Sequence, residues 1–514
     1  MFKKILLVSS TEGGLVMLAE LCAAKLIAPY FGTSIQVWAA TLSVTLGGLA
    51  AGYLIGSRRS KFVYERNIKD LNIIFFLNGI FLCLIPVLCH PLLKLTMSNN
   101  LGVGSILSLM VLLFPVLLLF GCTSPLIINV LNSNESKAGE TSGMVYSVST
   151  IGGIVMTMIT GFYLLPYFGI KNSYFIAGIL SAICGVLLLK KEAKTLNLVM
   201  LIIFAASLSA NALHKTSFNP QFKVLDESDG LLGNIKIIEH NAAWYGSPDK
   251  IGRGLSVNNT MQTFMDVNDP ENSSIWAWSN IIPTAISIYP KKSNVLLCGL
   301  GGGTIVKQLQ KLDFNFDVVE LDERIYKLAV KYFHVDPNIS VYTDDARHYI
   351  KTASEKYDVI IFDTFLSESA PEHLLTVESL QEAKSILKPN GLILTNFYGF
   401  ISGEKGRAAR SVVKTFHEAG FATSVIATPG NEENRNLLIL GSDAPKDFSK
   451  VNYTEPMSMS VGNLNALMVP IKDLTKGDEM VLTDDKPLLS RMCSAAAKSW
   501  KIAYNEYYTS KLIQ

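Results

Sequence analysis

From its amino terminus the chain runs through six apolar stretches, residues 5–28, 35–57, 71–93, 103–127, 143–166 and 172–189. As a helix, each is long enough to cross a hydrocarbon core of about 30 Å. A seventh run, 196–213, has a shorter apolar heart, LVMLIIFAASL, followed by Ser209 and Asn211, so it can span, lie in the interface or re-enter. Near residue 215 the pattern changes. Short alternating segments, FKVLDE, NIKIIEH, GLSVNN and MQTFMDV, separated by Gly, Asn and Asp, predict a small antiparallel sheet up to Pro290. Beyond Pro290, strands alternate with helical periodicity, which predicts a parallel sheet with crossover helices. The strands expected are 294–299, 316–321, 339–343, 357–363 and 392–397. Three regions follow: a membrane bundle of six or seven spans over 1–215, a small β-domain over 216–290, and a Rossmann-type α/β domain over 291–514.

The first span is expected to stay in the mature chain. It carries Glu12, Glu20 and Lys25 and leads directly into further spans, unlike a cleaved signal peptide. These charges are costly in lipid, so they are expected to face the bundle interior, to pair, or to line a polar cavity that serves as a ligand site or proton path. The glycines of GGLAAG (47–52) and IGGIVMTMITG (151–161) suit close helix packing. With alternating spans, Lys3, Lys4, Arg58, Arg59, Lys61, Arg66, Lys69, Lys137, Lys190, Lys191 and Lys194 fall on one side and only Lys94 and Lys171 on the other. That bias places the amino terminus in the cytoplasm. Six spans return the chain there; a seventh would carry everything after residue 215 outside.

Composition agrees with this division. Charged residues make up 17% of the 514, against about 25% in an average soluble protein, hydrophobic residues 49%, and mean hydropathy is +0.31. A net charge of +2 excludes a strongly basic nucleic-acid binder and an acidic disordered chain. Five of seven cysteines lie in apolar runs, and Cys298 and Cys493 stand far apart, so neither a disulfide framework nor a metal site is spaced out. HExxH, CxxC and nucleophile-elbow patterns are missing, and neither metal nor covalent catalysis is expected.

The chemistry gathers at strand ends. The first strand of the parallel sheet ends in GLGGG, where Gly299, Gly301 and Gly303 let the backbone turn tightly against a ligand before a helix begins. Glu320 follows Gly301 by nineteen residues and ends the next strand, where a carboxylate accepts both hydroxyls of a ribose. Asp344 and Asp345 end the third strand and Asp363 the fourth. In open parallel sheets ligands sit beyond these carboxyl ends, so the acids converge on one crevice suited to a nucleoside. No lysine follows the glycines, which disfavours a phosphate-rich ligand.

The glycine loop, Glu320, DDARHYI, YDVIIFDTF and LKPNGLILTNF together resemble the polyamine aminopropyltransferase (spermidine synthase) family within the class I methyltransferase-like fold. LSVNNTMQT is similar to that family's amino-terminal β-domain. The stretch AELCAAKLIAPYFGTSIQVWAATLSVTLGGLAAGYLIG is similar to bacterial proteins in which such a domain follows a helical membrane bundle. The resemblance implies that Glu320 holds the ribose of S-adenosylmethionine or its decarboxylated form, bound as substrate. It further implies that Asp345 lies on the adenine side, that Gln262 contacts the donor, and that Asp363 orients and deprotonates an attacking amine. Three positions depart from the family: Ala346 stands for a glycine, Gly302 for the acid inside the loop, and Leu366 for the second acid of a D-S-S-D-like pattern. SIWAWSN, with Trp276 and Trp278, replaces the family's Tyr-His-Glu-like polyamine contacts, so ordinary putrescine transfer is in question.

Other residues carry two readings. His373 suits a helix start or acid/base work; Tyr398 and NFYGF suit a pocket wall or the core; Asp484 and Asp485 in LTDDKP suit a turn cap or a functional role. The expected activity is transfer of an aminopropyl group to a polyamine or other amine with release of 5′-methylthioadenosine. Cleavage of S-adenosylmethionine or methyl transfer without a polyamine is the alternative, and a transporter or sensor binding a nucleoside or polyamine is a third. The expected setting is a multi-pass inner-membrane protein whose soluble part is cytoplasmic, where sulfonium nucleotides are made. Its partners would be a small-molecule substrate and the bilayer, with a homo-oligomer compatible and no nucleic acid.

Overall fold

The computed structural model describes residues 2–33, 35–97, 101–132, 138–188, 194–213, 219–230, 232–365, 371–449, 451, 463–486, 488–504 and 507–508. Leu366, Pro487 and the orientation-setting Lys137, Lys190 and Lys191 lie outside the described residues. Two compact units divide the chain. One comprises Met1–Ser217, Ser228–Asn234 and Tyr508–Gln514, and the other Phe218–Glu227 with Ile235–Tyr507.

The first unit is helical: α1 (Phe2–Phe31), α2 (Ile35–Arg59), α3 (Tyr64–Thr96), α4 (Leu101–Leu112), α5 (Phe114–Leu131), α6 (Ala138–Ile159), α7 (Leu165–Leu187) and α8 (Lys194–Leu213). The fourth expected span is divided at Leu113 because Pro115, which has no N–H to donate, opens α5. A π turn over Thr160–Leu164 joins α6 to α7, and Gly169 (φ 71°, ψ 177°) breaks the run between the fifth and sixth expected spans. With Ala138–Leu187 counted as one stretch, five helical stretches among the described residues are long and apolar enough to cross a membrane; Gly102–Leu112 and Leu198–Ala210 are shorter.

Glycine sets how closely these helices approach. A Cβ on Gly52 of α2 would stand 2.7 Å from the Gly121 Cα of α5, and Gly13 of α1 and Gly152 of α6 face backbone with equally little room. Glu12 and Glu20 are buried, and the Ser149 hydroxyl donates to Glu12 Oε2 at 3.1 Å. The Lys25 ammonium lies 5.9 Å from the Trp38 ring centroid. The charges of the first span therefore turn inward.

The smaller sheet comprises β1 (Lys223–Gly230), β2 (Gly233–Ala242), β3 (Ser247–Val257) and β4 (Thr260–Asp266), paired in that order. Asn258 and Asn259, with φ of 49° and 60°, form a two-residue loop that needs left-handed backbone at both positions, which asparagine tolerates. The β3–β4 ladder pairs Leu255 with Thr263 and Ser256 with Met261, leaving Gln262 as the extra residue of a β-bulge.

After α9 (Ile281–Ile286), the larger sheet comprises β5 (Asn294–Cys298), β6 (Asn315–Glu320), β7 (Val341–Thr343), β8 (Tyr357–Phe362), β9 (Leu387–Tyr398), β10 (Ala422–Ala427) and β11 (Asn436–Ser442), in spatial order β10-β11-β9-β8-β5-β6-β7. The five expected strands, β5 to β9, are parallel; β10 and β11 add an antiparallel edge. The helices are α10 (Thr304–Lys311), α11 (Glu323–Phe333), α12 (Ala346–Thr352), α13 (Val377–Ser385), α14 (Arg407–Glu418), α15 (Ile471–Leu474) and α16 (Leu489–Tyr504). Successive strand residues enter opposite cores, Val295 and Leu297 on one face and Leu296 and Cys298 on the other, as burial on both faces of a parallel sheet requires. The order reverses at β5, between β6 and β8, and this switch point is where ligands of such sheets bind.

Candidate active site

The switch point is built around the β5–α10 loop. Gly299, Gly301 and Gly303 have φ of 95°, 52° and 76°, a region that side chains rarely adopt. Gly299 also lies against the carbonyl of Asp363, so a Cβ there would collide with the end of β8. Glu320, at the end of β6, ties the loop down: Leu300 N–H donates to its Oε2 and Asp322 N–H to its Oε1, both at 2.9 Å. Burial pushes the Glu320 carboxyl above the ordinary range, opposed by those N–H donors. Each carboxylate oxygen keeps a second lone pair, so two diol hydroxyls can still be accepted.

Asp363 follows β8 directly. The parallel ladder sets Phe362 beside Thr395, so the next residues, Asp363 and Asn396, are neighbours. Asn396 Nδ2 donates to Asp363 Oδ1 at 2.8 Å, and Asn436 Nδ2 donates to Asn396 Oδ1 at 2.8 Å. Among the described residues Asp363 Oδ2 accepts no hydrogen bond. Burial raises the Asp363 carboxyl and the Asn396 amide partly offsets this. The result is a carboxylate fixed through one oxygen, with the other left for a substrate proton.

Asp344 and Asp345 follow β7. Asp345 caps α12, its Oδ1 accepting from Arg347 and His348 N–H at 2.9 and 3.1 Å, while His373 Nε2 lies 2.8 Å from Oδ2. Burial alone would raise the Asp345 carboxyl, but His373 and the capping N–H groups hold it below the usual range. Asp344 turns to the Asp345 N–H and to His348 Nδ1, at 2.8 and 2.6 Å. The glycine loop thus touches both Glu320 and Asp363, whereas the Asp344 side chain bonds to the Asp345 N–H and to His348 in the first turn of α12.

The small sheet supplies the opposite wall. Thr263 Oγ1 accepts from Gly302 N–H at 2.8 Å, so β4 rests on the glycine loop. A Cβ on Gly302 would stand 2.6 Å from Thr263 Cγ2, which leaves no room for an acid there. Gln262, beside Thr263, donates to the Thr260 carbonyl at 3.4 Å and is the residue left unpaired by the bulge. Trp276 and Trp278 belong to an aromatic group: their centroids lie 6.1 Å apart, and Tyr245 lies 5.7 Å from Trp276.

Several contributors escaped the sequence reading. Asn396 is one, and its signal was a polar amide next to the apolar residues Phe397 and Tyr398 at the carboxyl end of β9. Arg347 is another. It forms ion pairs with Glu382 and Asp484, each at 2.7 Å, and donates to the His373 carbonyl at 3.1 Å, joining α12, α13 and the LTDDKP segment. Asp484 is therefore an ion-pair partner rather than a simple turn cap. Tyr398 is core, buried against Phe365, Phe397 and Trp500 with centroids 5.2, 5.3 and 5.0 Å away.

Residues 279–429 match the spermine/spermidine synthase domain family. The chain is 29% identical over 220 residues to the polyamine aminopropyltransferase of Vibrio vulnificus, covering 40% of this chain and 71% of that protein. It is 22% identical over 459 residues to polyamine aminopropyltransferase 2 of Aquifex aeolicus, covering 85% and 87%; a match of that length reaches into the apolar half. A probable spermidine synthase from Corynebacterium glutamicum aligns in structure with a TM-score of 0.37 at 19% identity, over 52% of this chain and 96% of that one. The chain carries a spermine/spermidine synthase domain over residues 279–429 and is similar to polyamine aminopropyltransferases.

Proposed function

We propose that this protein is a membrane-bound aminopropyltransferase that moves the aminopropyl group of decarboxylated S-adenosylmethionine onto an amine and releases 5′-methylthioadenosine. The observation that carries the reading is the Asp363 carboxylate, held through Oδ1 by Asn396 at 2.8 Å at the switch point beside the glycine loop. Glu320 would accept the ribose hydroxyls, Asp345 would serve the adenine side, and Gln262 with Gly299, Gly301 and Gly303 would enclose the donor. The amine lone pair attacks the carbon attached to the sulfonium; the carbon–sulfur bond breaks with its electron pair left on sulfur, and the new ammonium passes a proton to Asp363. The carbon is already activated, so orientation and one base suffice. The raised Asp363 carboxyl suits that task, since a base works best when its pKa approaches the working pH.

The apolar helices and the lysine and arginine bias support a multi-pass inner-membrane location with the soluble unit in the cytoplasm. A reporter fused after residue 230 tests this, and an external reporter would defeat it. A second reading, cleavage of S-adenosylmethionine without an amine, is favoured by the Gly302–Thr263 packing, which leaves the loop without an acid to hold a second ammonium. Mass spectrometry of products from each sulfonium donor, with and without amines, separates the two. Methylthioadenosine that requires the decarboxylated donor and an amine supports transfer. Methylthioadenosine from S-adenosylmethionine alone means cleavage, S-adenosylhomocysteine means methyl transfer, and no product favours a binding or transport role.

A further inference from the structure

The strand order β8-β5-β6-β7 sets Asp363, the glycine loop, Glu320 and Asp345 in sequence along one rim. The ladder pairs Glu320 with Thr343, and the Asp344 N–H donates to the Glu320 carbonyl at 3.2 Å, so Asp345 stands just beyond the neighbour of Glu320. A nucleoside whose ribose meets Glu320 and whose sulfonium faces Asp363 therefore directs its base at Asp345. Only one oxygen of that carboxylate is open to it. Oδ1 is taken by the Arg347 and His348 N–H groups, whereas Oδ2 accepts from His373 Nε2 at 2.8 Å and can accept a second hydrogen bond. His373 is itself held in place. It lies in a 3₁₀ turn, Glu372–Leu374, and its carbonyl accepts from Arg347 Nη1 at 3.1 Å, while Glu382 and Asp484 fix the Arg347 guanidinium. The side chains of His373 and Asp345 are 51% and 39% exposed, so their pairing contributes little to stability and leaves Oδ2 within reach of a ligand.

We propose that His373 is a positioning residue for the base of the donor: by fixing Asp345 Oδ2 as a hydrogen-bond acceptor, it makes the site select a 6-aminopurine over a 6-oxopurine. The inference rests on the transfer reading above, in which Asp345 serves the adenine side. An ionised carboxylate only accepts, so the proton in the contact belongs to the histidine. That donor and the capping N–H groups keep Asp345 ionised against the burial that would protonate it. The 6-amino group of adenine donates to such an oxygen. A 6-oxo group instead sets a lone pair against it and leaves Oδ2 without the partner it was aimed at, the mismatch that hydrogen-bonding sites reject most strongly. Removing His373 leaves the carboxylate held through Oδ1 alone and more readily protonated, and a protonated Oδ2 can donate to a 6-oxo group. Discrimination between the two bases therefore falls further than affinity for adenine does.

The test is calorimetry on the full-length protein in detergent, titrated with 5′-methylthioadenosine and with 5′-methylthioinosine, its 6-oxo counterpart. The wild type is expected to prefer the adenosine by about thirtyfold or more. His373→Ala should cut that ratio by about fivefold, the worth of a charge-assisted hydrogen bond at a half-exposed site, and His373→Gln, whose amide N–H can replace the Nε2 donor, should recover part of it. A merely structural role would weaken both nucleosides alike and leave the ratio unmoved. Asp345→Asn gives an independent reading should His373→Ala fail to fold. Asparagine caps a helix as well as aspartate, and with its oxygen on the capping N–H groups it puts an amide donor where Oδ2 stood, so the preference should shift toward the inosine. A wild type that binds both nucleosides equally, a folded His373→Ala with the wild-type ratio, or an Asp345→Asn that keeps the wild-type preference overturns the inference while leaving transfer intact. A protein that binds neither nucleoside and releases no methylthioadenosine from the decarboxylated donor overturns the transfer reading, and this inference with it.

Discussion

Replacing Asn396 by alanine tests the assignment of Asp363 as base. The substitution deletes the amide that donates to Asp363 Oδ1 at 2.8 Å and leaves the carboxylate in place. That amide stabilises the anion, so its loss must raise the Asp363 pKa further above the ordinary carboxylate value. A hydrogen bond to a charged group contributes about 1.5–3 kcal/mol. At 1.36 kcal/mol per unit the shift would be about one to two pH units. Because water can replace the amide at a site open to a ligand, about one unit is expected. The base works only when deprotonated, so the acidic limb of kcat/KM should move up by that amount, while the alkaline plateau falls less than tenfold. The assay is methylthioadenosine release as a function of pH. Asn436→Ala serves as control: it removes the amide that donates to Asn396 Oδ1 but spares the Asp363 contact, and should move the limb by less than about half a unit. A limb that stays in place or moves down while the plateau collapses would refute the reasoning.

Asp363→Asn should lower kcat by about 10²–10⁴-fold, the usual worth of general base catalysis, with donor affinity retained in calorimetry; Glu320→Ala should weaken donor binding and, by freeing the Leu300 N–H, lower the melting temperature. Gly302→Ala sets a Cβ 2.6 Å from Thr263 Cγ2 and should destabilise by about 1–3 kcal/mol, with Thr263→Ser relieving much of the loss in a double-mutant cycle. Arg347 depresses Asp484 from 3.8 to about 2. A depressed carboxylate stabilises the fold above its unfolded pKa and loses that contribution as pH falls through the folded one. The melting-temperature advantage of wild type over Asp484→Asn should therefore be full at neutral pH and vanish between about pH 4 and pH 2; an advantage that persists below that window would remove the ion pair as its source.

Much of this architecture was legible along the chain because its signals are local. Apolar length marks the helices of the first half, alternation marks the small sheet, and short, mostly apolar runs followed by Gly, Glu or Asp mark β5 to β8. The glycine loop, Glu320, Asp345 and Asp363 stood out because a parallel sheet gathers its strand ends on one rim, so residues far apart in sequence share a site by topology alone. The same reasoning could not divide 103–127 at Leu113 or decide how the run from 138 to 187 is broken, since proline and glycine permit breaks without fixing their geometry.

What only the tertiary structure decided are the pairings between side chains on different elements. Asn396 meets Asp363 because the β8–β9 register sets Phe362 beside Thr395. Gln262 sits unpaired in a bulge that no pattern of residues announces, and the room denied to a side chain at Gly302 depends on Thr263 from another sheet. Arg347 joins Glu382 and Asp484 across as many as 137 positions, and Lys501 reaches Asn258 across 243. Periodicity reports which face of an element is buried. Which partner it is buried against depends on long-range closure of the chain, and the environment of the acids at the rim is set by those partners.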